Sequence, residues 1–356
     1  SGVAATFMSA LARAQVNLRL IAQGSSERQI AVVVRKDDVS RALRAAHMAF
    51  TLSETVASVA ILGATGTDGK ALINMLQKQR DTLVEKLGVD IAVTVASCRT
   101  KMVRAKDAKG LGLELEKVRE RLRSDDEGEA FNLEKITESM ESDVNPLRII
   151  VDCTDSEEAG DLYERWLSSG IHIISPGRDI AAGDIDRYKR IMKAQHGHAV
   201  EWYKGSGVGS ALPILPTIQD LLETGDKIKT IEGSLSETLA YVLNTFDEKL
   251  PFSEALAIAA EKGYTENDLY EDLSGIDTAK KVAIMARQIG LDVNVDDIEV
   301  ESLIPKTCGG GMSDKALIDT LKCLDKYMLE RKQAAEAKGC RLRYKFSIDK
   351  ESGKCR

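Results

Sequence analysis

A short apolar strand, Val59-Ala60-Ile61-Leu62, runs straight into Gly63-Ala64-Thr65-Gly66-Thr67-Asp68-Gly69. A helix from about Lys70 to Lys86 follows, and then a second strand from Asp90 to Ala96. This order narrows the possible folds more than any other feature of the chain. Two strands joined through a helix of this length form a parallel, right-handed crossover. Glycines between strand and helix let the backbone turn tightly and approach a pyrophosphate, whose charge sits well on helix N–H groups. Gly63, Gly66, Thr67 and Gly69 are therefore candidate dinucleotide contacts. The spacing is GxxGxxG rather than GxGxxG and Asp68 would lie close to the phosphates, so a tight turn without ligand is the competing reading. The complete strand–loop–helix–strand order favours the dinucleotide. An NAD site normally offers an acidic residue to the ribose at the end of the second strand. Here Ser97-Cys98-Arg99-Thr100-Lys101 offers cations, and Arg99 suits a 2′-phosphate, hence NADP over NAD.

Leu147 to Asp152, ending at Cys153-Thr154, and Gly170 to Ser175 read as further buried strands. Strands alternating with helices predict an α/β fold with a Rossmann-like, doubly wound parallel sheet. Between them, residues 104–145 are charged and weakly apolar, and read as helices with a solvated insertion. Residues 1–50 read as helix (Ala4 to Ala14), strand (Val16 to Ala22), polar turn (Gln23 to Glu27), strand (Gln29 to Val34) and helix (Asp37 to Phe50). That is most of a small regulatory sandwich without its first strand. After residue 205 come a glycine-rich turn, a helix from Leu212 to Thr224, a strand from Lys229 to Gly233 and further helices, with a charged helix over Asp314 to Lys338. The chain opens on Ser1-Gly2-Val3 inside an apolar-periodic helix, and Arg341 to Ile348 alternates like a strand with no evident partner. Both ends therefore read as cut from something longer.

The net charge of −7 and 4% aromatic residues argue against a nucleic-acid binder. No window approaches the roughly 18 uninterrupted apolar residues of a membrane span. Six cysteines (Cys98, Cys153, Cys308, Cys323, Cys340 and Cys355) lie apart with no CxxC pair, which points to a reducing compartment, neither a disulfide framework nor a zinc site. His196 and His198 lack a third metal ligand, and a polar loop is the favoured reading. Cys153 ends a strand without a nucleophile motif and reads as an inert thiol.

The run Gly263 to Lys281 places five carboxylates before a helix with the apolar stripe Val282, Ala286 and Ile289. Asp277 and Lys281, four apart, share a helix face. They could be a proton donor held by a carboxylate, although on spacing alone an ordinary surface pair is favoured.

This run resembles the signature GYTEPDPRDDLSGxDxARK of homoserine dehydrogenases. Val208 to Pro213, Leu221 to Asp226 and Ile231 to Leu239 resemble neighbouring blocks of that family in the same order. Residues 1–50, with Ile21-Ala22-Gln23-Gly24 and Ala42-Leu43-Arg44-Ala45-Ala46-His47, resemble the last ACT regulatory segment of an aspartate kinase. Together they resemble the bifunctional aspartate kinase–homoserine dehydrogenases of bacteria and plants. The resemblance implies a partial, ferredoxin-like ACT segment (1–52), an NADP-binding domain (53–204) and a C-terminally truncated α+β catalytic and dimerisation domain (205–356). It implies NAD(P)H-dependent reduction of aspartate 4-semialdehyde to homoserine, with Lys281 as proton donor or alkoxide stabiliser and Asp277 orienting it. Glu266 and Asp272 would hold the substrate ammonium. The cofactor would touch the glycine loop, Arg99, Cys153, Thr154 and Arg178, and the backbone carbonyls of Val208, Ser210 and Leu212 would form a monovalent-cation loop. The resemblance further implies threonine as effector and a homo-oligomer, in cytoplasm for a bacterium or plastid for a plant or alga. Three departures stand out: Arg178 replaces a lysine, Gly205 a metal-binding glutamate and Glu237 a glycine. They make a catalytically degenerate module of the same fold the alternative. The stretch Gly63-Ala64-Thr65-Gly66 also invites an aspartate-semialdehyde dehydrogenase, but no cysteine–base pair supports that chemistry.

Overall fold

The computed structural model describes residues 2–24, 29–50, 55–105, 112–124, 126–143, 145, 147–266, 268–304 and 312–356. Cys308, Asn267, the tip of the turn after Gln23 and the expected junction at residues 52 and 53 lie outside the described residues. The chain divides into two compact units, residues 1–177 with 189–204, and residues 178–188 with 205–356.

In the first unit, α1 (Val3–Arg13), β1 (Leu20–Gln23), β2 (Ile30–Val33) and α2 (Val39–Phe50) form the expected half-sandwich. β1 and β2 pair antiparallel, Leu20 opposite Val33. The first strand starts later than expected, because Val16 packs with Leu11, Ala42 and Ala45 in the helix core. Leu20 and Val33, directly opposite each other, remain about half exposed, so this small sheet keeps an uncovered apolar face.

The rest of the unit is built on β3 (Thr55–Leu62), β4 (Val89–Ser97), β5 (Lys101–Arg104), β6 (Glu129–Ala130), β7 (Leu147–Asp152), β8 (His172–Ile174) and β9 (Trp202–Tyr203). They form one sheet in the order β6-β5-β4-β3-β7-β8-β9. The pairs β3–β4, β3–β7, β7–β8 and β8–β9 are parallel. The sheet is not parallel throughout, as the alternation predicts, because β5 and β6 add antiparallel at one edge. A tight turn, closed by Cys98 N–H to Lys101 O at 2.8 Å, reverses the chain after β4. Met102 and Val103 are then buried in β5, just ahead of the stretch that reads as a charged insertion. The helices are α3 (Thr67–Leu87), α4 (Leu115–Arg123), α5 (Leu133–Ser142), the short α6 (Glu157–Gly160) and α7 (Tyr163–Ser168), and, crossing into the second unit, α8 (Asp179–Ala182). α9 (Ile185–His198) precedes the edge strand β9. Ile73 of α3 and Val118 of α4 are wholly buried in the same core as Val59, Ile61 and Val93.

In the second unit, α10 (Ile214–Glu223) leads to β10 (Thr230–Gly233), then α11 (Glu237–Thr245), α12 (Phe252–Glu261), α13 (Leu269–Ser274) and α14 (Ile276–Gln288). α15 (Asp314–Leu321) and α16 (Asp325–Glu336) are separate helices joined by a 3-10 turn, Lys322–Leu324, where one helix is expected. The final strands are β11 (Phe346–Asp349) and β12 (Lys354–Cys355). The alternating segment near the end is not a lone strand: β11 lies between β10 and β12, antiparallel to both. Residues 341–345 stay outside it. Phe246 and Phe252, ring centroids 5.6 Å apart and edge-to-face, centre the helical core. Val282, Ala286 and Ile289 are buried, as the apolar stripe requires.

Candidate active site

The two units present separate chemistry. In the first, the carboxyl ends of β3 and β7 are adjacent, at the point where the sheet order reverses and open α/β sheets place ligands. Gly63 has φ +75°, and a Cβ there would meet Cys153 O at 3.0 Å and Thr154 Cγ2 at 3.1 Å. A Cβ on Gly69 would lie 2.3 Å from Gly63 O and 2.7 Å from Ala64 Cα, so glycine is what lets α3 start against the loop. Gly66 is the N-cap and supplies no side-chain cap, leaving Gly66 and Thr67 exposed at the end of a 21-residue helix. Cys153 and Thr154 close the loop's other side, with Cys153 N–H on Leu62 O at 3.0 Å. Burial, with help from Asp68 and Asp152, pushes the Cys153 thiol up to about 12, so it stays a neutral thiol. Arg99 is exposed in the β4–β5 turn, while Lys101 donates to Ser124 O.

Gly69→Ala is expected to lower stability by about 2–4 kcal/mol, as severe backbone overpacking does, whereas Gly66→Ala meets just one contact, Gly63 O at 3.2 Å. Urea denaturation of the two variants checks this; equal midpoints would refute the loop geometry.

In the second unit the expected chemical residues converge. Gly275, with φ +82°, both ends α13 and begins α14, so Asp277 stands in the first turn of α14. Asp277 is 2% exposed and Lys281 is 8% exposed, which overturns the favoured surface-pair reading. The Lys281 Nζ lies 2.6 Å from Asp277 Oδ2, 4.0 Å from Glu266 Oε1 and 3.3 Å from the Leu235 carbonyl it donates to. Arg178, expected among the cofactor contacts, is grouped here with the expected substrate residues. Its guanidinium donates to Asp277 Oδ1 and, through both Nη atoms, to Glu266 Oε1 at 3.1 and 3.0 Å. Burial works against its charge, but Asp277 and Glu266 outweigh that and hold its pKa above the ordinary value. Asp272 stands one step back and accepts the Glu266 backbone N–H at 2.8 Å. Burial raises the Asp272 carboxyl to about 6 against the lowering pull of that N–H and of Thr238.

An acid whose folded pKa lies above its unfolded value binds protons on folding, so stability falls as pH rises from about 4 to about 6. That fall amounts to roughly 2–3 kcal/mol, and Asp272→Asn is expected to abolish it. Denaturation at pH 4 and pH 7 reads the difference, and parallel pH profiles for both proteins would refute it.

The other singled-out residues fall elsewhere. Gly205 opens a 3-10 turn, Gly205–Gly207, ahead of Val208. Val208 is fully buried, Ser210 has φ +51°, and the Leu212 carbonyl already accepts the Ile214 N–H at 2.8 Å. Glu237 is exposed at the start of α11, where an acid suits the helix dipole. His196 and His198 lie in α9, not in a loop, with Nδ1 at 2.7 Å from Met192 O and 3.0 Å from Ala194 O. Among the described residues no group of three or more His, Cys, Asp or Glu side chains could hold a metal ion.

Sequence reasoning missed Asp152, which is fully buried at the end of β7 and accepts from the Thr154 amide and hydroxyl and, at 2.8 Å, from the Tyr163 hydroxyl. An acid ending an apolar strand run is the signal that could have found it. It also missed Lys280 and Arg287, which share α14 with Lys281.

Comparison with known proteins fits these two centres. Residues 213–354 match the model of the homoserine dehydrogenase family, and residues 65–204 match the homoserine dehydrogenase NAD binding domain. The chain belongs to the homoserine dehydrogenase family. Residues 1–50 match an ACT domain. The chain is 39% identical over 355 residues to a chloroplastic bifunctional aspartokinase/homoserine dehydrogenase 1 of Zea mays, covering 99% of this chain and 38% of that protein. It is 33% identical to the bifunctional aspartokinase/homoserine dehydrogenase of Haemophilus influenzae, covering 100% and 42%. It thus spans about two fifths of the length of these relatives. A crystal structure of a Candida auris protein of unknown function superposes with a TM-score of 0.74 at 30% identity, covering 84% of this chain and 82% of that one.

Proposed function

We propose that the chain performs the homoserine dehydrogenase reaction, the nicotinamide-dependent reduction of L-aspartate 4-semialdehyde to L-homoserine in threonine and methionine biosynthesis. The observation that carries this reading is the buried Lys281–Asp277 pair, flanked by Arg178 and Glu266 in a family whose name states that chemistry. Lys281 stabilises the alkoxide that develops at the aldehyde oxygen and delivers a proton to it. Asp277 fixes the ammonium, Glu266 receives the substrate's own ammonium, and Asp272 holds Glu266 through its backbone N–H.

The glycine loop fits a dinucleotide, because the helix end is free of a side-chain cap and only glycine fits at position 69. Gly63, Gly66, Thr67 and Gly69 would hold the pyrophosphate beside Cys153 and Thr154, and Arg99 would meet a 2′-phosphate. When bound, the cofactor supplies the hydride. Arg99→Ala is expected to raise KM for NADPH about tenfold and leave KM for NADH unchanged; equal effects on both would remove the NADP preference. Val208, Ser210 and Leu212 fit a monovalent cation poorly, since the Leu212 carbonyl is already bonded and Gly205 brings no carboxylate, so no step is assigned to one.

The same reading divides the chain into an ACT segment (1–52), a cofactor domain (53–204) and a catalytic domain (205–356). The uncovered apolar face of β1 and β2 supports a homo-oligomer, and threonine is the expected effector of the ACT segment. The relatives' sources favour a plastid or a bacterial cytoplasm. Among the described residues no helix is long and apolar enough to cross a membrane.

One observation favours a second reading, a module that binds cofactor without turnover: Arg178 already pairs with the two carboxylates, Asp277 and Glu266, that would meet substrate. NADPH oxidation at 340 nm with the semialdehyde tests both. Turnover supports the dehydrogenase; NADPH binding by fluorescence with no turnover supports the second.

A further inference from the structure

We infer that Lys280 and Arg287 form a two-point clasp on α14 that holds segment 178–188 in place, making Lys280 a positioning residue for Arg178. The clasp stands on geometry alone; its kinetic consequence rests on the dehydrogenase reading above.

Arg178 is the N-cap of α8, a helix of just four residues. So short a helix cannot hold itself, since nucleation costs more than its few hydrogen bonds return. Something else must fix the backbone from which the Arg178 side chain reaches Glu266 and Asp277. Lys280 and Arg287 are seven residues, or two turns, apart on α14 and therefore share a stripe. At the start of the segment, the Lys280 Nζ lies 2.7 Å from Asp179 Oδ1. Further along, the Arg287 guanidinium donates to Ala181 O at 2.7 Å and Gly183 O at 2.6 Å, with Nε on Val293 O at 2.9 Å. It also lies over the Tyr188 ring, 5.2 Å from the centroid. Asn294 accepts the Ile185 N–H at 3.2 Å.

Lys280 does more than end this clasp. Its Nζ is also 3.1 Å from Glu271 Oε1 on α13, and the next residue, Asp272, accepts the Glu266 backbone N–H. One ammonium thus links the backbone behind Arg178 to the helix that fixes Glu266. Burial opposes the charge on Lys280, but Asp179 and Glu271 outweigh it and raise its pKa. The two acids are 47% and 38% exposed, so these pairs add little to global stability. Their effect should appear in the placement of Arg178, where a shift of about 1 Å is enough to change kinetics.

The test uses Lys280→Met and Lys280→Arg in the full chain. Lys280→Met is expected to raise KM for the semialdehyde about tenfold with a smaller change in kcat, and Lys280→Arg to restore it. In an Arg178→Ala background the Lys280→Met effect should vanish; an undiminished effect there would show that Lys280 does not act through Arg178. Hydrogen exchange gives the readout that needs no turnover. The Ala182 amide, bonded to Arg178 O at 2.8 Å, should exchange faster in Lys280→Met while α11 amides stay unchanged. Unchanged exchange at Ala182 overturns the clasp. If the unmodified chain does not turn over at all, the dehydrogenase reading fails and exchange alone decides the clasp.

Discussion

Lys281→Met is expected to lower kcat for semialdehyde reduction by about 10²- to 10⁴-fold, the range for loss of a positioned acid. Methionine keeps most of the volume of a side chain that is 8% exposed, so the core around α14 stays filled. Asp277 is not stranded, because Arg178 still donates to its other oxygen. The variant should therefore fold and lose chemistry rather than structure. NADPH affinity should be unchanged, since the glycine loop belongs to the other compact unit. Steady-state kinetics beside a cofactor fluorescence titration separates the two quantities. Turnover within threefold of the unmodified chain would remove Lys281 from the mechanism.

Much of the fold is legible in the sequence because its signals are local. Val59 to Leu62, the glycine loop and the following helix lie within one unbroken stretch, and the structure extends β3 and α3 at their ends without moving them. What escapes is pairing at the edges. β5 is four residues long with Lys101 and Arg104 at its ends, so its two buried residues leave no periodic signal. The partner of β11 lies more than a hundred residues upstream, and β12 is two residues long. Neither offers a pattern that a reader of the chain can weigh, which is why the terminal strand looks unpartnered in the sequence.

The site divides along the same line. Helical spacing puts Asp277 and Lys281 on one face, and both carboxylates Glu266 and Asp272 fall within the same run. Spacing cannot say whether that face meets water or protein, and here the contact order decides: Arg178 reaches Asp277 across 99 residues of chain and joins it to Glu266. An arginine in place of the family's lysine reads in the sequence as a departure beside the cofactor. In the fold its planar fork spans two carboxylates at once, which a lysine ammonium would meet as a point charge.

That arrangement makes Asp277 a residue whose loss should cost the fold heavily. It is 2% exposed and stands between two cations, Arg178 on one oxygen and Lys281 at 2.6 Å on the other. Asp277→Asn keeps the shape and removes the charge, leaving the guanidinium and the ammonium close together beside Glu266. Breaking a buried pair by removing one partner typically costs about 3–5 kcal/mol. Arg178 and Glu266 keep some access to water, with side chains 24% and 35% exposed, so the expected loss is somewhat smaller, about 2–4 kcal/mol. Urea denaturation at pH 7 should show a lower midpoint with an unchanged slope. Adding Lys281→Met to Asp277→Asn should recover part of the loss, because it removes one of the two cations left crowded beside Glu266. A single-variant shift below about 0.5 kcal/mol, the range of ordinary surface substitutions, would mean that the charges are solvated and that Asp277 does not organise this cluster.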